Sequence, residues 1–460
     1  MSTGSKKNMD YSISFLNSEY RAGRLSPSQV LEQILERLTD EDQSNVWIST
    51  VDKVKARERA ALLDSLIDGI DSLPLYGLPF SVKDNIDVEG EPTTAACPEF
   101  EYMASSSAVV VQLAIDAGAL YIGKTNLDQF ATGLVGVRSP YGIPRNPHNE
   151  KYIPGGSSAG AGVSVSTGMV SFAFGTDTGG SGRIPASYNG IVGMKPAPGQ
   201  LSRRGLVYAC RSIDTPTIFA NTASDSMEVF NSVAKPDELD PFCIAHGEKV
   251  AADMASAALR LGVPETKQLK FFDNAETEVL FDGAVAHLTD ILGKPATVDF
   301  DVLTQLNDLM FFGSLLAERD VSVGQFVDKN PDACDRVVNQ LITGSRQFTA
   351  ADAYAGIYKI ADTKVQMESI WKDIDVLMVP TVGSVYTIDD IEADPLQPNF
   401  NNGYYTNFAN PLGLVAIATP YAKIVDGVPW GVTFLFKPGI ESEVASLADT
   451  FSAVWYAQSI

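Results

Sequence analysis

Histidine is scarce in this 460-residue sequence, at His148, His246 and His287 only. No HExxH occurs and no carboxylates cluster with these histidines, which argues against a metal hydrolase and implies no cofactor of that kind. A Ser-His-Asp triad stays open on the count alone, but His148 sits in the turn-like "RNPHNE" and is expected to be structural. Cysteine is sparse as well. Cys97, Cys210, Cys243 and Cys334 include no CxxC pair, so neither a zinc site nor a disulfide framework is indicated. Positive charge is short, with 34 Lys and Arg against 57 Asp and Glu and a net charge of −23. That balance argues against a nucleic-acid or anionic-membrane surface, which needs clustered cations. It leaves room for a small anionic substrate, which one or two well-placed cations can hold. Long apolar runs are missing too, and "MSTGSKKNMDYSISF" has no apolar core of a leader, so a cytoplasmic chain without a membrane partner is expected.

What is present is the composition of a folded protein, 45% hydrophobic and 20% charged. In "LSPSQVLEQILERLTD", Ser26 reads as an N-cap, Pro27 as the first helical residue and Gln29 as the partner in a capping box. Val30, Leu31, Ile34, Leu35 and Leu38 then form one apolar stripe, suited to core or dimer packing. Residues 1–73 are expected to be a helical segment packed on the core, and residues 74–460 one globular unit. From "LYGLPFSVKDNID" onward, strands and helices alternate. "SSAVVVQLAIDAG" reads as a helix, "ALYIGKT" as a strand, "GAGVSVSTG" as a helix of small residues, and "MVSFAFGTDT" as a buried strand. Later "KQLKFF", "NAETEVLFDGAVAHLTDIL" and "ATVDFDVL" read strand, helix, strand, and "DIDVLMVPT" is another buried strand. This grammar predicts an α/β fold with a large, twisted, mixed β-sheet covered by helices on both faces.

Two glycine-and-serine clusters flank one core-like run: "PGGSSAGAG" (Pro154 to Gly162) and "GTDTGGSG" (Gly175 to Gly182). A linker does not fit the apolar residues between them. A phosphate loop does not fit either, because the GK[ST] ending is missing. What remains is a site whose serines do the chemistry. A serine nucleophile needs a base, and with so little histidine the candidate is a lysine kept neutral by desolvation. Lys83 follows the strand-like run of "LPFSVKDNID".

"GLPFSVKDN", "YIPGGSSAG" and "GTDTGGSGRIPAS", in that order and with Ser181 lying 24 residues beyond Ser157, resemble the amidase signature family of Ser-Ser-Lys hydrolases. The resemblance implies that Ser181 is the nucleophile, that Ser157, preceded by a cis peptide bond from Gly156, is the bridging serine, and that Lys83 is the general base. It also implies an oxyanion hole from the backbone N–H groups of Thr178, Gly179, Gly180 and Ser181, and a loop braced by Asp177 and Arg183.

"GLVGVRSPYGIPRNP", "TTAACPEF", "ACRSIDTPTIFA" and "EADPLQPNFNNGYYTNFANPLGLVAIATP" are similar to the pattern of allophanate hydrolases. That resemblance implies release of ammonia from allophanate; no cofactor is expected, and a homodimer and a functional link to urea carboxylase stay open. In "LMFFGSLLAERD", Arg319 matches the arginine that binds the substrate carboxylate, and a guanidinium suits a planar carboxylate through two parallel hydrogen bonds. Eight residues earlier, where a substrate-binding tyrosine is expected, stands Phe311. The further C-terminal domain usual in allophanate hydrolases is not part of the 460 residues. The alternatives are an amidase for another small amide such as malonamate or biuret, the ammonia-producing subunit of a glutamine-dependent tRNA amidotransferase, and a non-catalytic module on the same scaffold.

Overall fold

The computed structural model describes residues 11–39, 45–243 and 259–458. His246, and parts of the expected N-terminal segment at 1–10 and 40–44, lie outside the described residues. Thirteen strands are described: β1 Trp47–Thr50, β2 Pro79–Lys83, β3 Pro92–Thr93, β4 Tyr102–Met103, β5 Leu120–Thr125, β6 Phe172–Asp177, β7 Val192–Lys195, β8 Thr215–Ala220, β9 Leu261–Pro264, β10 Ala296–Val298, β11 Val376–Pro380, β12 Val415–Lys423 and β13 Pro429–Phe436. β3 and β4 form a small hairpin, and the other eleven make one sheet in the order β1-β5-β2-β6-β8-β7-β12-β13-β11-β9-β10.

The sheet is mixed. β2 runs parallel to both β5 and β6, whereas β6 is antiparallel to β8, and β12 to both β7 and β13. Every residue of β2, β5, β6, β7, β8, β11 and β13 is buried. Successive side chains of a strand point to opposite faces, so complete burial means that both faces are covered. The fold is therefore the α/β architecture expected from the alternation of elements.

The helix Pro27–Arg37 starts with the capping box read from the sequence: Ser26 Oγ accepts from the Gln29 N–H, and Gln29 Oε1 accepts from the Ser26 N–H. Its stripe of Val30, Leu31, Ile34 and Leu35 is buried in the main core, with Phe80 and Phe172 of the sheet. The N-terminal segment is not wholly helical, however. β1 lies within it and pairs antiparallel with β5 at the sheet edge, because "VWISTV" carries the β-branched and aromatic residues that suit a strand. A second expectation is corrected at "KQLKFF": residues 266–268 form a short 3-10 turn, and the strand lies earlier, at β9. In β9, Leu261 and Gly262 pair with β11 inside the sheet, and that pairing outweighs the local propensity of the later run.

Candidate active site

The three residues of the expected triad enter from three neighbouring places on the sheet. Lys83 is the last residue of β2 and is fully buried. Ser157 lies just before the helix Ala159–Ser166, and Ser181 just before the helix Arg183–Asn189, at the end of the loop that leaves β6. The Gly156–Ser157 peptide bond is cis. The two clusters are pressed together by their small residues. A Cβ on Gly155, whose φ is +72°, would come within 3.1 Å of Pro185 Cα in the second helix. Ser158 Oγ donates to the Thr176 carbonyl at 3.1 Å, tying the first cluster to β6. Ser158 is also the centre of a GxSxG frame, Gly156 to Gly160, but its hydroxyl is occupied by this structural bond.

Lys83 Nζ donates to Ser157 Oγ at 2.7 Å and to Thr176 Oγ1 at 2.8 Å. Burial drives its pKa down to about 7, against the opposing pull of the Asp128, Asp214 and Asp177 carboxylates. A group that titrates there is shared between amine and ammonium near neutral pH, the poise a general base needs. Among the described residues the Ser181 hydroxyl makes no hydrogen bond to Ser157, so the direct link in the structure is that of Lys83 to Ser157.

The Ser181 loop is braced from below. Asp177 is fully buried and takes Arg183 through two hydrogen bonds, Nε at 3.0 Å and Nη2 at 2.8 Å. Burial works to raise the Asp177 pKa, but the Arg183 charge and the hydrogen bonds outweigh it and hold the carboxyl below its usual range. The same carboxylate accepts from the Gly180 N–H at 2.9 Å and the Gly182 N–H at 3.0 Å. The Gly180 N–H, one of the expected oxyanion donors, is thus already engaged by Asp177. The N–H groups of Thr178, Gly179 and Ser181 donate to no other described residue. Thr178 Oγ1 donates to Asp214 Oδ1 at 2.5 Å, and Thr406 Oγ1 donates to the Gly179 carbonyl at 2.6 Å. Asp214 also accepts from the N–H groups of Ala209 and Cys210, and burial nevertheless raises its pKa to about 6.

Arg319 is buried on the helix Ala317–Lys329. Its guanidinium lies 5.6 Å from the centre of the Phe311 ring, and Nη1 donates to Cys210 Sγ at 3.1 Å. Burial pushes the Cys210 thiol well up, so the sulfur stays protonated and donates to the Leu315 carbonyl. Among the described residues Arg319 forms no ion pair, and its buried Nε has no hydrogen-bond partner. Met310, next to Phe311, reaches the nucleophile loop: a Cβ on Gly179 would lie 3.2 Å from its Cε. Phe311 and Arg319 thus come together, and Met310, the residue before Phe311, is the one that meets the loop of Ser181.

Sequence reasoning does not single out Thr176, Asp214, Cys210 or Asn407, although all four lie in runs that carry the family resemblance. Their partners are distant in the chain, so the signal available is their place in those runs. Among the described residues no group of three or more His, Cys, Asp or Glu is arranged to hold a metal ion, and no helix is long and apolar enough to cross a membrane.

Comparison with known proteins agrees with this frame. The amidase family model matches residues 29–445. An allophanate hydrolase of Kluyveromyces lactis superposes with a TM-score of 0.91 at 36% identity, covering 98% of this chain and 73% of that one. The urea amidolyase of Saccharomyces cerevisiae is 36% identical over 433 residues, which make up 93% of this chain but 23% of the relative, so the chain spans about a quarter of that protein's length. A glutamyl-tRNA(Gln) amidotransferase chain of Lactobacillus gasseri is 30% identical over 471 residues, 96% of each of the two sequences.

Proposed function

The chain belongs to the amidase family, and from that premise we propose that it hydrolyses a small anionic ureide, allophanate first, to N-carboxycarbamate and ammonia. Hydrolysis of an amide C–N bond is the activity of the fold; the substrate and the residue roles are the proposal. Ser181 Oγ attacks the terminal carbamoyl carbon while its proton passes to Ser157 and the Ser157 proton to Lys83. Reversal of the Lys83–Ser157 hydrogen bond at its 2.7 Å separation is the contact this step requires. The oxyanion takes hydrogen bonds from the N–H groups of Thr178, Gly179 and Ser181, each such donor being worth about 3–4 kcal/mol in comparable sites. The relay then returns a proton to the departing nitrogen, ammonia leaves, and water enters to cleave the acyl ester on Ser181.

Arg319 carries the choice of substrate. A buried guanidinium in no direct ion pair is costly to leave alone, and the nearby Asp214, whose carboxyl feels the Arg319 charge, is engaged by Thr178 and the Cys210 N–H, so the site favours a ligand that brings its own carboxylate. Phe311 keeps a ring under the cation but offers no hydroxyl. A functional link to a urea-carboxylating enzyme belongs to the same proposal, because carboxylation of urea yields allophanate. The likeness to the amidotransferase chain supports a second reading, in which ammonia comes from glutamine. Ammonia release from allophanate and from glutamine, by the protein and by its Ser181→Ala variant, separates the two. Turnover of allophanate that falls by about 10⁴-fold or more in the variant is expected for a lost serine nucleophile. Unchanged turnover in Ser181→Ala, or activity on glutamine alone, would overturn the proposal.

A further inference from the structure

The Asn407 side chain is 4% exposed, and its Oδ1 has no hydrogen-bond partner among the described residues. A buried amide oxygen without a donor is costly, so it marks a place where a ligand N–H can be received. Its surroundings say which N–H. A Cβ built on Gly179 would lie 2.7 Å from Asn407 Oδ1 and 3.2 Å from Met310 Cε. The oxygen therefore adjoins the nucleophile loop on the side occupied by Met310, whose neighbour Phe311 underlies Arg319. The Asn407 backbone is anchored here: its N–H donates to the Gly403 carbonyl at 2.9 Å, and the preceding residue, Thr406, is bonded to Gly179.

One end of the substrate is to be polarised at the loop of Gly179, and the other is to be held at Arg319. In a ureide carboxylate these two ends are separated by a single atom, the internal nitrogen, which carries one N–H. In a malonamate the same place is a CH₂. We propose that Asn407 Oδ1 accepts the internal N–H and so selects the ureide skeleton over its carbon isostere. This inference rests on the reading of Ser181 and Arg319 given above, and it adds a residue that distinguishes two substrates with the same charge. A site built to bind an N–H rejects the analogue without it, since the buried acceptor is then left unpaired.

The test is the ratio of kcat/KM for allophanate to kcat/KM for malonamate in the wild-type protein, Asn407→Leu and Asn407→Asp. Asn407→Leu removes the acceptor while keeping the number and branching of side-chain heavy atoms and is expected to lower the ratio by about tenfold or more, with the loss falling on allophanate. Asn407→Asp keeps an acceptor; its added charge weakens both anions, while the ratio stays near that of the wild type. A loss of packing alone would lower both substrates together and leave the ratio unmoved. An unchanged ratio in Asn407→Leu overturns the inference and leaves the proposed function standing. A wild-type protein that turns over neither compound overturns the proposed function, and the inference with it. If Asn407→Leu lacks a cooperative melting transition, Asn407→Ala supplies the same comparison.

Discussion

Two arginines are buried almost equally, Arg183 at 0% and Arg319 at 2% exposure, yet their surroundings are opposite. Arg183 makes four hydrogen bonds: it meets Asp177 through two nitrogens, the Thr406 carbonyl at 3.0 Å and Asn410 Oδ1 at 3.2 Å. Arg319 has a thiol, a ring face and an unpartnered Nε. The difference separates frame from reader. The region around Arg183 uses its hydrogen bonds to hold the Ser181 loop in one shape, which suits a part that must be preorganised. The region around Arg319 leaves hydrogen-bonding capacity unused, the capacity that the proposed function gives to the substrate.

The sharpest way to break this comparison is to remove Arg183. Arg183→Met leaves Asp177 charged, buried and without its partner, and should destabilise the fold by about 3–5 kcal/mol in denaturant unfolding. A loss much below that would mean that the frame is held by the Asp177 backbone contacts. Burial of Lys83 sets the pH response. Lys83 is protonated below about 7 and cannot accept a proton, so kcat/KM should rise with pH, by about tenfold per unit well below that point, and level off above it. A rate that stays flat from pH 5 to 9 would exclude Lys83 as the base. The smallest effect belongs to the reader. Phe311→Tyr restores a hydroxyl beside the guanidinium and should change KM for a carboxylate substrate by about fivefold, with little change in stability, the size of one net hydrogen bond.

Legibility from sequence divides along similar lines. The Ser26–Gln29 capping box, the helix before Gly118, and the fully buried β5, β6 and β11 could be read locally, because caps and apolar runs are properties of short segments. β1 is four residues between helices and becomes a strand by pairing with β5, a contact made far along the chain. "KQLKFF" has strand-like residues but no free place in the sheet, since β9 precedes it. In the site, Lys83, Ser157 and Ser181 stand out because each lies in a motif with its own chemistry. The commitment of the Gly180 N–H to Asp177 could not be seen, because it depends on how tightly the loop turns. Asn407 is silent for another reason. Thr406, its neighbour, meets Gly179 across 227 residues of chain, a closeness that only the folded sheet creates.

In the proposed function Arg319, which forms no ion pair among the described residues, is the centre on which substrate choice turns. The most direct measurement is ammonia release from allophanate and from biuret, its uncharged amide, by the wild type and by Arg319→Met. A charge-assisted, two-bond contact is worth about 3 kcal/mol, so the wild type should favour allophanate by about 100-fold in kcat/KM, and the variant should lose nearly all of that preference. Equal turnover of the two compounds by the wild type, or a preference that survives in Arg319→Met, would contradict it.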